Sequence, residues 1–129
     1  MLITSIPQYI QGLTNAKVDL TNTNDTVLYT APSDSDFNAS VVSSLLVSND
    51  SGSADTITVT LISGSDTFSV YKLEEVGALS TKELLTNDLI MQGGEVLKVQ
   101  AATGARLHVI ASIQELTKTR ITTSALANI

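Results

Sequence analysis

The groups in this 129-residue chain that could move protons, attack a carbonyl or hold a metal are one histidine, His108, and thirteen carboxylates; there is no cysteine. A serine triad needs a histidine beside a nucleophile held on a sharp turn, and no Gly-x-Ser-x-Gly elbow accompanies His108. His108 stands in the middle of an apolar alternation and reads as a surface or interface histidine. Glycoside hydrolysis needs two carboxyl groups facing each other across a cleft, one of them with a raised pKa. Most of the aspartates instead sit beside Ser, Asn or Gly, where Asp bonds the backbone of its own turn. Asp34-Ser35-Asp36 and Asn49-Asp50-Ser51-Gly52 are oxygen-rich, but neither has the EF-hand register with its distal Glu. Gly93-Gly94 and Gly104 are turn glycines, outside any dinucleotide or P-loop pattern. The residues therefore predict no catalytic site, no cofactor and no metal, and the expectation is a protein that is not an enzyme.

The elements that carry these residues are short alternating strands. Thr56-Ile57-Thr58-Val59-Thr60-Leu61 puts Ile57, Val59 and Leu61 on one face and three threonines on the other. Threonine suits a pleated surface without needing burial, because its branched Cβ fits the extended backbone. Strands are expected at 17–20, 26–30, 40–48, 55–62, 67–73, 81–85, 89–91, 96–101 and 106–115, with a helical turn over 82–89 as the alternative to two of them. Turn formers recur between them, as in Asn49-Asp50-Ser51-Gly52 and Gln92-Gly93-Gly94-Glu95. No amphipathic crossover helix separates them, so a parallel α/β sheet is disfavoured. The fold class predicted is all-β: an antiparallel β-sandwich, jelly-roll-like, of eight or nine strands with extended N- and C-terminal arms.

The chain has the length of one domain. The arms are expected at 1–17 and 116–129, with the sandwich at 18–115. Pro7 and Gly12 interrupt the first segment, whose Leu2, Ile3, Ile6, Tyr9, Ile10 and Leu13 are many sticky groups for a free tail. That segment lacks a charged n-region and an Ala-x-Ala site, so it does not read as a secretory signal. A net charge of −6 and scattered basic residues argue against a nucleic-acid partner. No apolar run is long enough to span a bilayer as a helix. Of five aromatics, Phe68 is expected in the core and Phe37, in its acidic loop, is the best exposed candidate for a sugar platform.

Two strands carry apolar residues on both faces. In 40–48 the inward set is expected to be Val41, Ser43, Leu45 and Val47, which turns Val42 and Leu46 outward. In 106–115 it is Leu107, Val109, Ala111 and Ile113, which leaves His108 and Ile110 outside. Outward apolar groups on two strands imply that the second face is covered, by the arms or by another subunit. The candidate subunit or capsid-type interface is thus Leu2, Ile3, Ile6, Tyr9, Ile10, Val42, Leu46, His108, Ile110 and, in the second arm, Ile121.

The stretch TNTNDTVLYTAPSDSDFNASVVSSLLVSNDSGSADTITVTLISGSDTF, joined to LLTNDLIMQGGEVLKVQAATGARLHVIASIQEL, resembles small β-sandwich virion proteins of tailed bacteriophages. The elements that carry the resemblance are Leu28–Pro32, Val41–Val47, Asn49–Leu61, Leu84–Met91, Gly94–Ala101 and Leu107–Ile113, within Leu20–Leu116. Where that family commonly has Gly-Lys after Ala-Pro, this chain has the acidic loop Ser33–Asn38. The resemblance implies a structural protein of the virion: first a capsid decoration (cement) protein that stabilises the assembled shell, alternatively a neck or tail component such as a ring, collar or fibre-adaptor subunit. A carbohydrate- or host-binding module is a more distant third. It further implies a homo-oligomer, with a homotrimer favoured. The partners would be the major capsid protein or neck and tail proteins, and the place the capsid exterior after synthesis in the host cytoplasm.

Overall fold

A computed structural model describes residues 9–118, and their side chains from residue 12 onward. Among these residues there are nine strands and no helix: β1 (Tyr9–Leu20), β2 (Thr26–Thr30), β3 (Phe37–Asn49), β4 (Asp55–Ser63), β5 (Asp66–Val76), β6 (Ser80–Glu83), β7 (Leu89–Met91), β8 (Val96–Ala101) and β9 (Leu107–Thr117). They form two antiparallel sheets. One has five strands in the order β1-β9-β3-β6, with β7 also on β3; the other has four, in the order β2-β8-β4-β5. β1 touches β2 and β5 touches β6 across the two sheets without pairing, and the described residues form an antiparallel β-sandwich.

The core lies between the sheets and follows from alternation. Leu45, Val47, Leu107, Val109 and Ala111 point in from one sheet; Ile57, Val59, Leu97, Val99 and Ala101 point in from the other. Burial of each large aliphatic side chain contributes on the order of 1.5–3 kcal/mol. With little aromatic content, β-branched and leucine side chains supply the filling, together with the fully buried Met91.

Most strand limits fall where turn residues put them. β2, β7 and β8 match the sequence expectation residue for residue, and 84–88 forms a loop instead of a helical turn. Three expectations are corrected. Residues 9–17 are not part of a free arm: they make up most of β1, paired with β9 from Tyr9–Thr117 to Leu20–Leu107. Gly12 does not end this strand, because the irregularity between Ile10 and Gly12 is absorbed as a bulge. The remaining arm residues lie outside the described residues on the N-terminal side and beyond Lys118 on the C-terminal side.

The second correction concerns Val42, which is fully buried and not on the outer face. The register of β3 on β9 shifts between Val42 and Ser44, leaving Ser43 as an extra residue. One extra residue flips the side-chain alternation. Ser40 and Val42 therefore point inward before the bulge, Leu45 and Val47 after it, and Ser43 is exposed.

The third correction exchanges two aromatics. Phe37 is buried, packed beside Gly93, where a Cβ would stand 3.6 Å from the ring and 3.2 Å from the Pro32 carbonyl. Phe68 is 54% exposed near the tip of the β4–β5 hairpin, where Leu61 and Ile62 are themselves only half-buried. The sugar platform expected at Phe37 does not exist.

Candidate functional site

The outer face of the five-stranded sheet is built by the register of β1, β9 and β3. One row across it holds Lys17, Ile110, Leu46 and Glu83; two residues along, another holds Asp19, His108, Ser48 and Thr81. At the other end a row holds Leu13, Gln114, Val41 and Ile90. Leu13 is 73% exposed, Ile90 53%, Ile110 42% and Leu46 36%. Serines fill the space between: Ser44 and Ser112 pair across β3 and β9, and the Ser43 hydroxyl donates to the Ser112 carbonyl at 3.3 Å. Leu13, Asn15, Ser43, Ser112 and Gln114 line a shallow depression at the Leu13 end. The face thus has apolar points on a hydroxyl-rich ground and no deep cleft.

His108 marks one corner. Its Nε2 lies 3.2 Å from Asp50 Oδ2 and its Nδ1 3.5 Å from Asp19 Oδ1, with all three side chains largely open to water. An imidazole between two exposed aspartates is a local surface pair, worth little to stability. Ser48 is the cross-strand neighbour of His108 on β3, and the Ser48 hydroxyl accepts from that of Thr81 at 3.4 Å. Among the described residues, no three of His, Cys, Asp or Glu come close enough to hold a metal ion.

The polar groups that bond within the sandwich, the buried Ser40 and Asn49 and the exposed Glu83 alike, serve the fold. Tyr29 reaches across the sandwich from β2, and its hydroxyl meets Ser40 at 2.7 Å and donates to Glu115 at 2.5 Å. Burial, then the bond to Glu115, pushes the phenol pKa up from 10.0 to about 12, with the Ser40 contact acting in the opposite sense. Asn49 is fully buried: its amide nitrogen donates to the carbonyls of Ser53 and Val76, and its oxygen accepts from Ser51. The Asp55 carboxylate accepts from the backbone N–H of Thr56 and of Thr103, tying the β8–β9 loop to β4. Glu83 fills the gap on β3 between β6 and β7: it accepts from the Ser44 hydroxyl at 2.5 Å and from the Leu45 N–H at 2.7 Å, and from Leu85 N–H. Desolvation raises its pKa, but the bonds from Ser44, Leu45, Leu85 and Leu84 outweigh that and hold the carboxyl below its usual value. No buried side-chain nitrogen or oxygen among the described residues lacks a partner.

Of the residues singled out in the sequence, the structure brings Leu46, His108 and Ile110 onto one face and places Val42 behind it. Tyr9 and Ile10 lie in β1; Leu2, Ile3, Ile6 and Ile121 fall outside the described residues. Three apolar members of the face were missed: Val41, expected inward, is turned out by the bulge at Ser43, and Ile90 and Leu13 were not singled out as interface residues. Ile90 sits in a three-residue strand, too short for alternation to show which side it takes. Leu13 was read as part of an irregular arm, and the signal that could have found it is the alternation Leu13, Asn15, Lys17, Asp19 against Ala16, Val18, Leu20.

No family model matches the chain, and neither does a curated protein. Among solved structures it is similar to a pentameric capsid protein isolated from metagenomic phage sequences, with 18% identity and a TM-score of 0.45 over 81% of this chain. The match spans 61% of that capsid protein's length.

Proposed function

We propose that this chain is a structural protein of a bacteriophage virion, and within that class a decoration (cement) protein on the capsid exterior. The observation that carries the reading is the outer sheet face, where Leu13, Leu46, Ile90 and Ile110 are exposed together on a sheet whose buried side-chain polar groups, among the described residues, all have partners. Exposed apolar groups gathered on one face mark an interaction surface. The sequence resemblance to small β-sandwich virion proteins supplies the partner: the capsid shell.

In this reading the face carrying Leu46 and Ile110 seats on the shell, with His108 at its rim, while Leu2, Ile3, Ile6 and Ile121 in the terminal segments join copies into a homotrimer. The mechanism is mass action: a protein that binds only the assembled shell stabilises that shell. Three linked copies bind several capsid subunits at once, so a modest interface per copy suffices. The net charge of −6 leaves nucleic acid out of the partner list.

The test is the copy number of the chain in purified particles, measured by quantitative mass spectrometry against the major capsid protein. A number comparable to that of the capsid protein is expected. A small fraction of it would move the chain to a neck or tail ring, and absence from particles would sink both placements.

A further inference from the structure

A β-sandwich exposes sheet edges, and unpaired edges recruit other strands unless they are blunted. Three of the edges here are blunted. β2 is five residues long and bulged between Val27 and Tyr29. β5 has two register irregularities on β4 and the charges of Asp66, Lys72, Glu74 and Glu75, and Leu73 takes a left-handed φ of 54°. The far edge of the five-stranded sheet is split between β6, of four residues, and β7, of three, with the Glu83 carboxylate bonded into the gap.

β1 is different. It ends the strand order of its sheet and is twelve residues long. From Gly12 to Leu20 it runs in unbroken register on β9, and among the described residues no strand pairs with its other edge, which offers a regular row of N–H and C=O groups. No proline interrupts this run, and Leu13 stands open at its start.

The chain also contains a segment suited to that edge. Residues 119–129, TRITTSALANI, have no glycine or proline. Ile121, Thr123, Ala125, Ala127 and Ile129 alternate with Arg120, Thr122, Ser124, Leu126 and Asn128, the period of a strand whose second side is polar except for Leu126. Their length matches the unbroken part of β1 with residues to spare. The last described residue, Lys118, donates its backbone N–H to the Asp36 carbonyl at 2.7 Å, on the β3 side of β9 and away from β1. To reach the outer edge of its own β1 the segment would have to pass over the start of that strand. It would then run parallel to β1, in the less favourable pairing. A neighbouring copy can supply it antiparallel.

We propose that the free edge of β1 receives residues 119–129 of a neighbouring copy as an added antiparallel strand. The inference rests on the homo-oligomer part of the function proposed above and says how copies are joined. Main-chain hydrogen bonds supply the affinity and the alternate side chains the register. Donation from each copy to the next is a heterologous contact, which closes into a ring when the rotation between copies allows.

The absence of native cysteine makes disulfide trapping unambiguous. Full-length Leu13→Cys would be mixed, under mild oxidation, with each of Ile121→Cys, Thr122→Cys, Thr123→Cys, Ser124→Cys and Ala125→Cys, one of the two carrying a mass tag. The expected result is a mixed covalent dimer, at one face of the scan, several-fold in excess of either like-with-like product. Full-length Thr123→Pro is expected to keep the circular dichroism and melting temperature of the parent while its mass in solution falls to that of a monomer. No mixed product at any of the five positions overturns the proposal. So does a Leu13→Cys, Thr123→Cys double variant whose bond closes within one chain. These readouts use the isolated protein, so they can fail while the particle copy number succeeds, and the reverse.

Discussion

At the residue scale, the chain spends its chemistry on holding two sheets together. Tyr29 is the clearest case, because one hydroxyl on β2 joins Ser40 of β3 and Glu115 of β9. Tyr29→Phe removes it and leaves the buried Ser40 hydroxyl without its acceptor and the half-buried Glu115 carboxylate without its donor, at a cost of about 1–3 kcal/mol at neutral pH. The folded-state pKa is raised, so the contribution of the neutral phenol is complete below about pH 10 and is lost as pH rises through about 12. Chemical denaturation across that window should show the parent losing stability with a steeper slope than Tyr29→Phe; equal slopes would remove Tyr29 from the alkaline transition. Val42 and Leu46 make a second contrast. Val42→Asp puts an unpaired carboxylate into the core and should prevent folding, whereas Leu46→Asp lies on the open face and should shift stability by no more than about 0.5 kcal/mol. Thermal melts of the two variants check this, and a folded Val42→Asp would show that the bulge at Ser43 had been misplaced.

At the scale of elements, turns and bulges decide which residues face which way. Ser43 carries the bulge that turns Val42 inward, and the β8–β9 loop shows how closely such connections pack. A Cβ on Gly104 would lie 2.7 Å from the Thr21 carbonyl oxygen and 3.0 Å from Asn22 Cα, backbone atoms that cannot swing aside. Gly104→Ala should therefore destabilise by about 1–3 kcal/mol through overpacking. Gly52→Ala, in a turn with open space around it, should cost far less. Urea denaturation of the pair measures the difference, and an unchanged midpoint for Gly104→Ala would mean that the loop gives way freely.

At the scale of the whole molecule, the proposed function divides two surfaces. In the reading proposed, the outer sheet face is the surface for the shell, and the β1 edge is the surface for a neighbouring copy. Leu46→Asp combined with Ile110→Asp should leave a folded protein of parental oligomeric mass that no longer sediments with capsids lacking the native protein. The loss expected is tenfold or more in affinity, about 1.4 kcal/mol or above. Retained sedimentation would move the shell contact off this face.

Composition and alternation alone determined the all-β class, the absence of an assembled set of acid, base and nucleophile residues as the expectation, and the limits of β2, β7 and β8. Those properties follow from local rules: side chains alternate at every residue of a strand, and Asn, Gly, Asp and Ser mark where it stops. They also placed Leu107, Val109, Ala111 and Ile113 inward, because β9 runs without a bulge opposite β3. What the tertiary structure decided is where alternation changes phase. A bulge at Ser43 costs one residue and leaves no mark in composition, yet it reverses Val41 and Val42. Phe37 and Phe68 exchanged places for a similar reason: burial depends on which loop folds over the end of the sandwich, a contact between residues far apart in the chain. The role of residues 9–17 was hidden for the same cause, since an irregular apolar run becomes an edge strand only when β9 stands beside it to satisfy its backbone.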